Sequence, residues 1–163
     1  MTKWEVNVYI EPNFIATLDK SWFESLVCEV LEYLNIAAPA ELGLVITDNE
    51  TIQQLNRTYR SKDEPTDVLA FPMLDYTVQE GETAFIVPPD GIHHLGEVVI
   101  SYPQAIQQAE DRGQEIEQEL ITLIVHGILH LLGYDHEMPE EEQHMRIKEE
   151  EVIKIISSHE SAG

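Results

Sequence analysis

ELITLIVHGILHLLGYDH, residues 119–136, decides the fold. From Leu120 to Leu132 it is apolar on nearly every helical face, and a helix greasy all round belongs inside a core. Extended back to Glu115 it predicts a long buried helix, ending at Leu132. Gly133 stands where a left-handed residue ends a helix and reverses the chain. Two histidines interrupt the apolar run, His126 and His130, four residues apart and so on one face. A third, His136, follows the glycine and can fold back towards the first two. Three neutral imidazoles suit Zn²⁺ and leave its fourth position open, the arrangement of a catalytic site and not of a closed structural one. The competing reading, three unrelated histidines, would bury two polar rings without a partner. His93, His94, His144 and His159 have no such spacing and are read as solvated.

Working outward, residues 4–10 (WEVNVYI) alternate as a half-buried strand does. Residues 14–34 carry Leu18, Trp22, Leu26, Val30 and Leu34 at helical spacing. Residues 41–47 read as a strand, and Thr47 with Glu50 forms a capping box that opens a short helix to about Tyr59. A loop over 61–66 leads to a short strand at 67–71 (DVLAF), stopped by Pro72. Residues 75–94, rich in Gly, Pro and acid, read as a long connection or extended hairpin. A strand at 95–100 and a helix at 102–112, ended by Gly113, follow. A last helix over 139–157 has an apolar stripe of Met145, Val152, Ile153 and Ile156. The expectation is an α+β fold in one domain over 1–163, a mixed four-stranded sheet with about five helices, the histidine helix central.

The chain has 163 residues and a formal net charge of −22. Such acidity normally argues against nucleic-acid binding. Its nine basic residues are uneven, with Arg57, Arg60 and Lys62 within six positions. Acidic runs in the last third read as solvated helix faces. The single cysteine, Cys28, excludes an internal disulfide and reads as packing. The N-terminus lacks a signal-peptide core, and the longest apolar run is too short to span a bilayer, so a cytoplasmic protein without membrane contact is expected. Glu119, Thr122 and Asp135 are candidates to support the histidines from behind.

The histidine spacing matches the zinc-protease pattern H-E-x-x-H-x-x-G-x-x-H except that Gly127 stands where the general-base glutamate belongs. HGILHLLGYDHE (126–137), LNRTYRSKDEPTDVLAFP (55–72) and LGEVVIS (95–101) together resemble the YbeY family, single-strand-specific endoribonucleases that mature bacterial rRNA. The resemblance implies an α+β fold and one Zn²⁺ per chain on His126, His130 and His136. It implies Arg60 as a further catalytic residue, action on the 3′ end of small-subunit rRNA and in ribosome quality control, and the small ribosomal subunit with its associated factors as partners. Glu97 departs from the usual aspartate of the third segment. The rivals are a metallopeptidase, disfavoured by Gly127, and a non-catalytic ribosome-assembly factor braced by zinc.

Overall fold

The computed structural model describes residues 4–36, 39–72, 76–79, 82–85, 92–133 and 139–162. Tyr134, Asp135, His136 and Glu137 lie outside them. Strand β1 (Trp4–Ile10) leads to helix α1 (Lys20–Tyr33), β2 (Ala40–Thr47), α2 (Asn49–Arg60) and β3 (Val68–Pro72). Two short antiparallel strands, β4 (Tyr76–Gln79) and β5 (Glu82–Phe85), precede β6 (His93–Ser101), α3 (Tyr102–Arg112), α4 (Ile116–Leu131) and α5 (Pro139–Ala162). β1, β2 and β6 run parallel, β3 pairs antiparallel with β6, and the sheet order is β1-β2-β6-β3. The expected α+β fold, with a mixed four-stranded sheet and five helices, is the one observed.

Side chains alternate across a strand, so the sheet has two apolar faces. Leu42, Leu44, Ile46, Val98 and Ile100 point to one layer, where α1, α4 and the start of α3 bury Leu26, Val30, Ile124, Ile128 and Tyr102. α5 closes that layer with Met145, Val152 and Ile156, three positions of the stripe its sequence carries. Val45, Leu69, Val99 and Phe71 point the other way and pack on Ile52 and Leu55 of α2. α2 and α4 therefore grip edge strand β3 from opposite faces, α4 at Val68 and Ala70, α2 at Leu69 and Phe71.

Two helix starts differ from the sequence expectation, each because an aspartate caps. α1 begins at Lys20, not near 14, since the Asp19 carboxylate accepts from Ser21 N at 3.0 Å while residues 12–18 form turns. α2 is capped by Asp48, not Thr47: its carboxylate accepts from Thr51 N at 2.8 Å. That bond to the ionised form holds the Asp48 carboxyl below its ordinary range. β6 carries a bulge where β2 shifts register between Glu41 and Leu42, leaving Leu95 as the extra residue. Gly96 absorbs it at φ 127°, a conformation open to glycine.

Candidate metal centre

α4 owes its position to Gly127. A Cβ built there would stand 2.5 Å from Val98 Cγ1 and 3.1 Å from Cγ2 on β6. The helix lies this close because nothing projects from residue 127 towards the sheet. The same contact answers the protease question in geometry: a side chain at 127 would run into β6, so a general-base glutamate has no room there.

On another face of α4, the one-turn spacing brings His126 and His130 together. Their rings meet edge to face, centroids 4.6 Å apart, and the two Nε2 atoms stand 3.1 Å from each other. Two ring nitrogens this close share either one proton or one cation. Zinc–nitrogen bonds of about 2.0–2.1 Å at a tetrahedral angle put neighbouring donors about 3.3 Å apart, so the pair fits two adjacent corners of such a site. Both rings are partly buried, which limits competition from water without sealing the site.

Behind His126 stands Glu149 of α5, with both carboxylate oxygens 3.4 Å from Nδ1. A carboxylate there favours the tautomer protonated at Nδ1 and leaves Nε2 with its lone pair towards His130. Glu149 was missed in the sequence because it sits in the acidic run KEEEV, read as a solvated face. Its neighbour Glu150 is exposed as expected, and Glu149 itself is half-buried. The signal available was its place on the last helix, four residues after the buried Met145.

Two expected supporting residues do other work. The Glu119 carboxylate is wholly buried and accepts from Arg112 at 3.1 Å and from Gln114, tying the α3–α4 turn together. Thr122 donates its hydroxyl to Gln118 O at 3.1 Å. Neither is turned to the histidine pair by these bonds. Asp135 and the third histidine, His136, fall outside the described residues; Gly133, at φ 96°, takes the positive-φ conformation expected at the end of the helix.

Arg60 is exposed in the last turn of α2, on the opposite layer of the sheet from α4 but beside the same edge strand. Its loop is pinned. Ser61 takes the left-handed conformation, Lys62 N donates to Asn56 O at 3.2 Å, and the buried Asn56 amide donates to Glu64 O at 2.9 Å. Of the acids that follow Arg60, Asp63 meets Arg57 at 3.7 Å and Gln53 at 3.1 Å, and Asp67 binds Val68 N and Gln108. Cys28 is no competing nucleophile, since burial and the charges of Glu24 and Glu32 push its thiol up.

The model for the family described as endoribonuclease YbeY matches residues 11–157. The chain belongs to the endoribonuclease YbeY family. An endoribonuclease YbeY of Roseiflexus sp. (strain RS-1) is 41% identical over 152 residues, covering 93% of this chain and 92% of the relative. One of Dehalococcoides mccartyi (strain ATCC BAA-2100) is 43% identical over 155 residues, covering 93% and 96%. The Bacillus cereus (strain G9842) enzyme is 43% identical over 141 residues, covering 84% and 88%. The solution structure of a Thermotoga maritima protein superposes with a TM-score of 0.64 at 23% identity, over 96% of this chain and 92% of that one, and so shares the fold. The reading as an RNA-cleaving hydrolase is borne out, and neither the metallopeptidase nor the non-catalytic alternative finds support. No helix among the described residues is long and apolar enough to cross a membrane.

Proposed function

We propose that this YbeY-family endoribonuclease is zinc-dependent and single-strand-specific, and that it matures the 3′ end of small-subunit rRNA and serves ribosome quality control in the cytoplasm, in contact with the small ribosomal subunit and its associated factors. The observation that carries the metal dependence is the approach of His126 Nε2 to His130 Nε2 at 3.1 Å with a carboxylate behind the first ring. His126, His130 and His136 would hold one Zn²⁺ through three neutral donors. When bound, the ion supplies an undiminished positive charge and Lewis acidity at a phosphodiester.

The chain's own residues do the rest. Glu149 fixes the His126 ring and its tautomer. Arg60 offers a planar fork of donors matched to phosphate oxygens, and Arg57 and Lys62 add weaker, salt-sensitive attraction. Arg57 and Arg60 sit on helix α2 and Lys62 on the pinned 61–64 loop, so the backbone that carries them is ordered before RNA binds. Delivery by the ribosome would offset the repulsion between RNA and so acidic a chain.

Single-stranded and duplex forms of the small-subunit rRNA 3′ region, offered to chelator-treated and zinc-restored protein, test this reading. Cleavage of the single strand that disappears with chelation and returns with zinc is expected. Equal cleavage of both forms, or cleavage indifferent to chelation, contradicts it. Arg60→Ala should lose most of the cleavage while keeping one metal ion per chain.

A further inference from the structure

α2 carries an apolar stripe at Ile52, Leu55 and Tyr59, spaced so that all three lie on the sheet side. Burial fades along it. Ile52 is fully buried, Leu55 half-buried and Tyr59 67% exposed. Tyr59 does not hang free. Its ring meets Phe71 of β3 edge to face, centroids 5.4 Å apart and planes at 71°. The contact props the ring by one side and leaves its other surface in solvent.

The surroundings are the basic spot of an acidic protein. Arg57 and Arg60 of α2 and Lys62 of the loop pinned by Asn56 are all exposed and lie within three residues of Tyr59. On the sheet side of Phe71 the character reverses. Phe71 pairs in register with Glu97, Glu97 with Gly43, and Gly43 with Asn7. Beyond Phe71, Glu97, Gly43 and Asn7 of that row line an open groove of about 270 Å³ together with Glu41, Lys20 and His94, the last held to Glu41 at 3.4 Å. The two carboxylates, with one lysine against them, make that side less favourable to a phosphate backbone than the side of Arg57, Arg60 and Lys62.

We propose that Tyr59, propped on Phe71, is a stacking platform for one base of the single-stranded RNA, while Arg60 and Lys62 hold the adjoining phosphates. This rests on the endoribonuclease reading above and adds a residue to its binding surface. An aromatic face beside cations is how single strands are held without regard to sequence, since every base has a π-face. A duplex keeps its bases stacked on one another and has none to offer. Tyr59 therefore contributes to the preference for single strands.

The test compares full-length, zinc-loaded wild type with Tyr59→Ala, Tyr59→Leu and Tyr59→Phe. Each is measured for binding and cleavage of a single-stranded oligoribonucleotide and of copies with one abasic position moved along the strand. Tyr59→Ala should weaken binding by about ten- to one-hundred-fold, the range of base–aromatic stacking, with kcat within about two-fold of wild type. Tyr59→Phe should bind like wild type. Tyr59→Leu, which keeps apolar bulk but loses the ring face, should resemble Tyr59→Ala and guards against a folding artefact. One abasic position should erase the difference between wild type and Tyr59→Ala. If wild type cleaves RNA but Tyr59→Ala or Tyr59→Leu binds as wild type does, the stacking role is overturned and the endoribonuclease reading stands. If zinc-loaded wild type neither binds nor cleaves single-stranded RNA, both fall.

Discussion

Gly127→Ala is the most exposing perturbation of this fold. The new Cβ would sit 2.5 Å from Val98 Cγ1, 3.1 Å from Cγ2 and 3.4 Å from Val68 Cγ2. Carbon atoms rest about 3.5–4.0 Å apart, so the closest contact overlaps by about 1 Å. Val98 cannot swing away: it is wholly buried on a central strand, and its β-branch restricts χ1. The helix must move instead. Overpacking of this kind costs about 1–3 kcal/mol, and the upper end suits so short a contact. Replacing a mid-helix glycine by alanine returns up to about 1 kcal/mol of helix propensity. The net expectation is a loss of about 2 kcal/mol in denaturant unfolding, with lower RNA cleavage because α4 carries both His126 and His130. Val98→Ala removes both offending methyls. The double variant should be more stable than the sum of the single losses by about 1–2 kcal/mol. A stabilised Gly127→Ala, or strict additivity with Val98→Ala, would refute the account of why α4 lies where it does. Gly127→Glu, which restores the letters of the protease motif, should fail to fold and gain no peptidase activity.

Glu149→Gln, which keeps the shape but removes the charge behind His126, should weaken zinc affinity by roughly ten- to one-hundred-fold with little change in melting temperature, as read by competition with a chelating dye. Arg112→Ala leaves the wholly buried Glu119 with Gln114 as its remaining donor of that pair, and should cost about 2 kcal/mol in chemical denaturation, more than Glu119→Gln, whose exposed Arg112 partner can hydrate. Asp48 has a lowered pKa from its bond to Thr51 N, so the stability it contributes is full above its unfolded value near 3.8 and is lost as pH falls through the lower folded value. Glu11 opposes it, raised by burial and by the Asp48 charge, so its stabilising effect is the reverse, present at low pH and lost as pH rises through its folded value. Asp48→Asn should therefore flatten the acid limb of a stability–pH curve below about pH 4 while leaving most of the capping, worth about 0.5–2 kcal/mol, in place at neutral pH.

What could be read beforehand followed from local rules. The alternation in WEVNVYI and the all-round apolarity of α4 each have one stable solution, and Gly113 and Gly133 mark their helix ends through positive φ. The spacing of His126 and His130 fixed their meeting because a helix turn is local geometry. Caps were read a residue or more early where Asp19 and Asp48 competed with neighbouring hydroxyls and apolar residues, since only backbone geometry decides which carboxylate reaches the open N–H. Glu149 could not be told apart in sequence from other acids, and Glu119, expected behind the histidines, instead holds Arg112 and Gln114. Their roles depend on which helix packs against which, a tertiary fact that no window of residues carries. The exposure of Tyr59 was not legible either, since it shares the helical spacing of the packed Ile52 and Leu55. Arg60, paired with the histidines only through family resemblance, stands across the sheet from them at the end of α2, before a loop whose order comes from Asn56.

The central claim is that His126, His130 and His136 together hold the one metal ion on which RNA cleavage depends. Metal per chain by inductively coupled plasma mass spectrometry, measured on the same preparations as single-stranded RNA cleavage for wild type and for each histidine-to-alanine variant, tests it most directly. One zinc per wild-type chain, with metal and cleavage lost together in all three variants, is the predicted result. Stoichiometric metal in any one of the three, or full cleavage by a metal-free variant, would contradict it.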